Sequence, residues 1–183
     1  MLKIILTKLW CIRYHIPYKF GIFIPPFVKL LGNGTVSLDK NVELHANVLL
    51  DTAENGVITI EEGANINSYS RIEAMNFVRI ESDVLIGPNV YISDRNHSYK
   101  DVNTPIKKQG YYSYSSGGVQ IGSETWIGIH TAIIGNVTIG KHCVIGANCV
   151  ITHDIPSYSV VVGNPGKIIK RYNQESKKWE YFN

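Results

Sequence analysis

Apolar residues recur along this chain with a period of six. Ile121, Ile127, Ile133, Ile139, Ile145 and Ile151 fall six residues apart, and two places before each stands Val119, Thr125, Thr131, Val137, Cys143 or Cys149. Glycine follows four of the six isoleucines, at Gly122, Gly128, Gly140 and Gly146. Neither the helical period of about 3.6 nor the alternation of a long strand gives this spacing. A short strand and a corner, repeated, gives it, which is the hexapeptide signature of a β-helix. Each short strand turns its isoleucine and the small residue before it inward, and glycine is expected to supply the permissive backbone of the turn.

The same template runs backwards through 78–95 (VRIESD, VLIGPN, VYISDR), 58–75 (ITIEEG, ANINSY, SRIEAM) and 36–53 (VSLDKN, VELHAN, VLLDTA). Three interruptions break the phase, at 54–57, at 76–77 and over the long excursion 96–118. Three hexapeptides close one triangular turn, so residues eighteen apart stack, Ile121 on Ile139 and Ile127 on Ile145. The expectation is an all-β prism of about five turns, about 24 Å tall at the ~4.8 Å spacing of paired strands. Its two ends are open sheet edges that need covering. Residues 1–35 are assigned to an N-terminal helical cap, 36–155 to the prism with its loop 96–118, and 156–183 to a short C-terminal extension.

A chain of 183 residues with this apolar content is long enough for one domain with a sizeable core. The net charge of +3 is mild, and no nucleic-acid recognition motif accompanies it, so no nucleic-acid partner is expected. Three cysteines make no disulfide framework, and Cys143 and Cys149 sit at inward positions as small core fillers. A reducing, cytoplasmic compartment follows. Lys3, Lys8, Arg13, Lys19 and Lys29 all precede the first acidic residue, Asp39. Basic residues interrupt the amino-terminal segment too often for a bilayer-crossing run. Leu2, Ile5, Leu6, Leu9 and Ile12 form a helical stripe ended by Pro17. Two readings stay open: a cap that buries Ile5, Leu9 and Ile12 against the prism, or weak peripheral contact with the inner face of an anionic membrane.

A flat, repetitive prism offers few places for chemistry, and the excursion 96–118 is the exception. His97 opens it, held by the rigid coil behind, and imidazole suits the removal of a hydroxyl proton near neutral pH. Position alone also fits a solvated loop histidine. Asp94 could orient His97 or could cap its own turn. His130, His142 and His153 fall near later corners and are expected to be exposed.

Several motifs together resemble one family: the repeats, Ser93-Asp94-Arg95-Asn96-His97 before a long loop, Thr125-Trp126-Ile127-Gly128 after it, and the ending Val161-Val162-Gly163-Asn164-Pro165-Gly166-Lys167-Ile168-Ile169-Lys170-Arg171. These are similar to the left-handed β-helix, hexapeptide-repeat O-acetyltransferases, over about residues 36–172. The stretch from Pro105 to Gly110 looks closest to the O-antigen and capsule polysaccharide branch. The resemblance implies direct acetyl transfer from acetyl-CoA to a sugar hydroxyl, no metal, and a cytoplasmic homotrimer. It implies His97 as general base, Asn65 and Asn67 at the acceptor sugar, and Trp126 lining the site. Gly128 and the backbone N–H of Ile129 would form the oxyanion corner, Ala147 and Thr152 would follow the pantetheine arm, and Lys167, Lys170 and Arg171 would meet the nucleotide phosphates. Gly166 departs from the alanine usual in the family.

Other chemistries share this prism. A zinc hydratase of the γ-carbonic anhydrase type needs paired histidines at a spacing absent here, since His130 and His142 are twelve apart. An antibiotic acetyltransferase, a nucleotide-sugar N-acetyltransferase and a non-catalytic trimeric scaffold are the remaining alternatives. The identity of the acceptor is not written in the repeats.

Overall fold

The computed structural model describes residues 2–112 and 117–181, so residues 113–116 of the expected loop lie outside the described residues. The chain winds as a parallel β-helix of triangular section. Face 1 stacks Glu43–Leu44, Asn65–Ile66, Leu85–Ile86, Trp126–Ile127, Val144–Ile145 and Ser159–Val162. Face 2 stacks Lys29–Gly32, Leu49–Thr52, Arg71–Ala74, Tyr91–Ser93, Ala132–Ile134 and Val150–Ile151. Face 3 stacks Thr35–Leu38, Val57–Ile60, Phe77–Ile80, Val119–Ile121 and Val137–Ile139.

The ladder is in the register the period requires. Ile121 pairs with Ile139, Ile127 with Ile145 and Ile133 with Ile151, and all six are fully buried. The excursion leaves this register intact, because Ile92 pairs directly with Ile133 and Ile80 with Ile121 across it. Cys143 and Cys149 fill inward positions as expected, and burial raises both thiols' pKa values.

Two expectations change. Faces 1 and 2 carry six rungs where about five were expected. The extra rung on face 2 comes from within the segment assigned to the cap, where Lys29–Gly32 pairs with Leu49–Thr52, and that on face 1 from the segment assigned to the C-terminal extension, where Ser159–Val162 pairs with Val144–Ile145. The glycines also work differently. The left-handed backbone falls on the last residue of the hexapeptide, at Asn41, Asn47, Asp83, Asn89, Glu124, His130, His142 and Asn148. Short polar side chains tolerate that conformation best, which suits Asn and Asp to these corners. Gly122 and Gly128 are instead needed for close approach. A Cβ on Gly122 would lie 2.6 Å from Gly140 of the next rung, and one on Gly128 2.7 Å from the Ala147 nitrogen.

Helix α1 (Leu2–Arg13) covers the N-terminal end of the prism. Trp10 Nε1 donates to the Val28 carbonyl at 2.9 Å, and the Thr7 hydroxyl accepts the Ile24 N–H at 3.1 Å. At the other end Lys167–Asn173 runs antiparallel to Ser159–Val162, and Lys178–Tyr181 pairs back on it, extending face 1 as a hairpin.

Candidate active site

The corners from face 3 to face 1 and from face 1 to face 2 are regular, with left-handed residues at the same hexapeptide position. The corner from face 2 to face 3 is the irregular one: every interruption of the period leaves from it. His97 stands there, just after the strand Tyr91–Ser93. It lies on a short ribbon, Asn96–His97, paired antiparallel to Tyr111–Tyr112 with His97 opposite Tyr111. The two rings stack at 4.6 Å between centroids. The ring is thereby braced while the side chain stays exposed.

A hollow opens on each side of that ribbon, and His97 belongs to both. One, of about 420 Å³, is lined by Arg71, Glu73, Tyr91, Arg95, His97 and Tyr111. The other, of about 840 Å³, is walled by the loop, including Tyr99, Lys100, Ile106, Gln109 and Tyr112.

Sequence reasoning missed the first hollow's polar floor. Arg71 and Glu73 are outward residues of one face 2 strand, with Tyr91 stacked on Arg71 in register and Ser93 on Glu73. The nearly buried Glu73 carboxylate accepts from Tyr91 Oη at 2.8 Å and Ser93 Oγ at 3.3 Å, and pairs with Arg71. Desolvation raises the Tyr91 pKa, and Glu73 adds to the rise. Arg95 reaches Asp51 at 3.4 Å and lies over the Tyr111 ring at 5.5 Å, while its buried Nε has no partner among the described residues. The signal was present as three outward charges, Asp51, Arg71 and Glu73, on a face otherwise free to be bland.

No hydrogen bond joins Asp94 to His97 among the described residues. Asp94 is fully buried, and its carboxylate accepts the backbone N–H groups of Met75, Asn76 and Phe77 in the rung below. Both oxygens are committed to the turn of the rung below, and not to the turn that Asp94 itself opens.

The remaining candidates fall elsewhere. Asn65, Leu85, Trp126, Val144, Val160 and Lys170 form one column up face 1, each in register with the next. Trp126 points outward and is 52% exposed. Asn65 donates to Glu43 at 2.8 Å and leaves its buried Oδ1 without a partner among the described residues. Lys170 sits 4.3 Å over the Tyr181 ring, with Lys167 and Arg171 exposed on the same strand.

Gly128, Ile129 and Ala147 occupy the corner between faces 1 and 2, where the Ile129 N–H meets no acceptor among the described residues. Asn67 lies at the same corner lower down. Thr152 follows the last face 2 strand, on the His97 side. His130, His142 and His153 are exposed, with His142 Nδ1 3.0 Å from Glu124.

Within one chain, therefore, two groups of candidates stand at opposite edges of face 2. His97 and Thr152 hold one edge; Ile129 and Ala147 hold the other, with Trp126 beyond it on face 1. A strand of three residues between them spans roughly 10 Å. A histidine and an oxyanion donor that far apart cannot act on the same carbonyl.

Residues 118–153 match the family described as bacterial transferase hexapeptide (six repeats). The chain is 34% identical over 152 residues to the putative lipopolysaccharide biosynthesis O-acetyl transferase WbbJ of Escherichia coli (strain K12), covering 81% of this chain and 78% of that one. It is 32% identical over 186 residues to the probable acetyltransferase Rv3034c of Mycobacterium tuberculosis, covering 90% of this chain but only 58% of that longer protein. Among solved structures, a variant of AntD, an N-acyltransferase from Bacillus cereus bound to dTDP-4-amino-4,6-dideoxyglucose and coenzyme A, superposes with a TM-score of 0.73. That match covers 93% of this chain and 90% of the other at 20% identity, a likeness of fold.

Proposed function

The chain belongs to the hexapeptide-repeat O-acetyltransferase family, and from that membership we propose that it carries the acetyl group of acetyl-CoA to a sugar hydroxyl during surface-polysaccharide assembly in the cytoplasm. The observation that carries the reading is the braced His97, set between two hollows at the mouth of the loop. The polar hollow suits a sugar. Its paired charges offer fixed donors and acceptors to hydroxyls, and Tyr111 offers a ring edge and face.

In this reading His97 takes the proton of the acceptor hydroxyl as its oxygen attacks the thioester carbonyl carbon. The tetrahedral oxyanion receives the Ile129 N–H, a preorganised backbone donor for which the isoleucine side chain is immaterial. The carbon–sulfur bond then breaks, and the thiolate takes the proton from the imidazolium. The products are an acetyl ester and free coenzyme A, with no acyl-enzyme.

Because His97 and Ile129 occupy opposite edges of face 2, a working cleft combines His97 of one chain with the Trp126–Ile129–Ala147 corner of a neighbour. A cyclic homotrimer supplies three such clefts. Lys167, Lys170 and Arg171 extend the neighbour's wall toward the phosphates of the nucleotide.

Turnover of acetyl-CoA against free sugars, nucleotide sugars and lipid-linked oligosaccharides tests the reading. Ester formation on a sugar is expected. Transfer confined to an amine, whether of an amino sugar or an antibiotic, would overturn it.

A further inference from the structure

Helix α1 buries the opposite face from the one its apolar pattern marks. Thr7, Trp10 and Cys11 turn into the prism end. Ile5, Leu9 and Ile12, which share the other face one turn apart, stand in solvent, Leu9 at 57% and Ile12 at 70% exposure. Helix geometry puts Lys8 on one flank of this stripe and Arg13 on the other, and both are exposed. The side chains of Leu2 and Lys3 lie outside the described residues.

Neither flanking cation has a carboxylate partner among the described residues; each lies over a ring instead, Lys8 over Tyr18 at 5.2 Å and Arg13 over Tyr14 at 5.5 Å. No acidic residue precedes Asp39. A hollow of about 660 Å³ beside the stripe is lined by Lys8, Cys11, Ile12, His15, Ile16 and Tyr18.

We propose that the outer face of α1 docks on an anionic lipid surface. Ile5, Leu9 and Ile12 enter the boundary between head groups and acyl chains, Lys8 and Arg13 reach lipid phosphates from either flank, and the hollow at Lys8 and His15 admits a head group. Long cationic side chains beside an apolar stripe suit that depth, with stems in the apolar layer and heads in the polar one. A second copy of this face is the poorer occupant, because it would set Lys8 and Arg13 against their own equivalents. One helix of 12 residues binds weakly. In the trimer proposed above, rotational symmetry turns all three caps the same way, so three weak contacts act together. This surface is independent of the chemistry at His97.

Flotation of the full chain with vesicles of phosphatidylglycerol and phosphatidylethanolamine, against pure phosphatidylcholine, tests the proposal. Binding is expected on the anionic vesicles only and is expected to fall with added salt. Joint substitution Leu9→Glu and Ile12→Glu is expected to lower partitioning by at least about tenfold, with circular dichroism and solution mass unchanged. No flotation at low salt would overturn it, as would binding indifferent to the double substitution. A double variant whose solution mass falls would make the stripe a contact between copies and would also overturn it.

Discussion

The Asp94 carboxylate accepts the Phe77 N–H at 3.0 Å, tying the strand that precedes the loop 96–118 to the rung beneath it. Met75 and Asn76 donate to the same group, so one buried carboxyl closes three backbone donors at once. Leaving buried donors unmet costs about 1–3 kcal/mol each. Asp94→Ala is expected to destabilise the fold by about 3 kcal/mol or more, read by denaturant unfolding. Asp94→Asn keeps the shape but turns an amide N–H₂, itself a donor, toward backbone donors, and is expected to lie between. An Asp94→Asn variant of normal stability and reduced kcat would point to an orienting role instead.

His97→Ala is expected to leave the fold and coenzyme A binding intact, since among the described residues the exposed ring packs on Tyr111 and on no core side chain. Turnover is expected to fall about 10²–10⁴-fold, the usual contribution of a placed base. Calorimetric titration with coenzyme A separates the two effects. A variant turning over at the normal rate would remove His97 from the mechanism.

Tyr91 is held in its protonated form by burial and by the Glu73 carboxylate it donates to. Its raised folded pKa stabilises the fold below the unfolded value, about 10, and that contribution is lost as pH rises through the folded pKa. Phenolate absorbance is expected to show a late-titrating tyrosine that disappears in Tyr91→Phe. Its persistence in that variant would assign the late group elsewhere.

The prism was legible because its signal is local and repeated. Ile121 to Ile151 need only the next corner to know which way to point. The amino-terminal helix was legible as a helix, but the face it buries was not, since that is decided by partners some eighteen residues away. Trp10 is drawn inward by the Val28 carbonyl, 18 positions on, and Thr7 by Ile24, 17 on, against the pull of a more apolar face. The first rung hid for a similar reason: Lys29–Gly32 is mostly exposed and lacks the inward isoleucine, so only pairing with Leu49–Thr52 reveals it. At the site, His97 and Trp126 were legible as motifs. Their separation by a whole face, and the Arg71–Glu73–Tyr91 floor between, follow from register and not from spacing along the chain.

The shared cleft is tested most directly by mixing two inactive chains. His97→Ala removes the base, and Ala147→Trp fills the exposed corner where the pantetheine arm is proposed to run. Each homotrimer is expected to be inactive. In trimers assembled randomly from equal amounts of both, each cleft draws its histidine from one chain and its corner from the next. About a quarter of the clefts then hold both intact, and about a quarter of wild-type activity is expected. A mixture no more active than either parent would contradict the shared cleft, placing base and corner on the same chain.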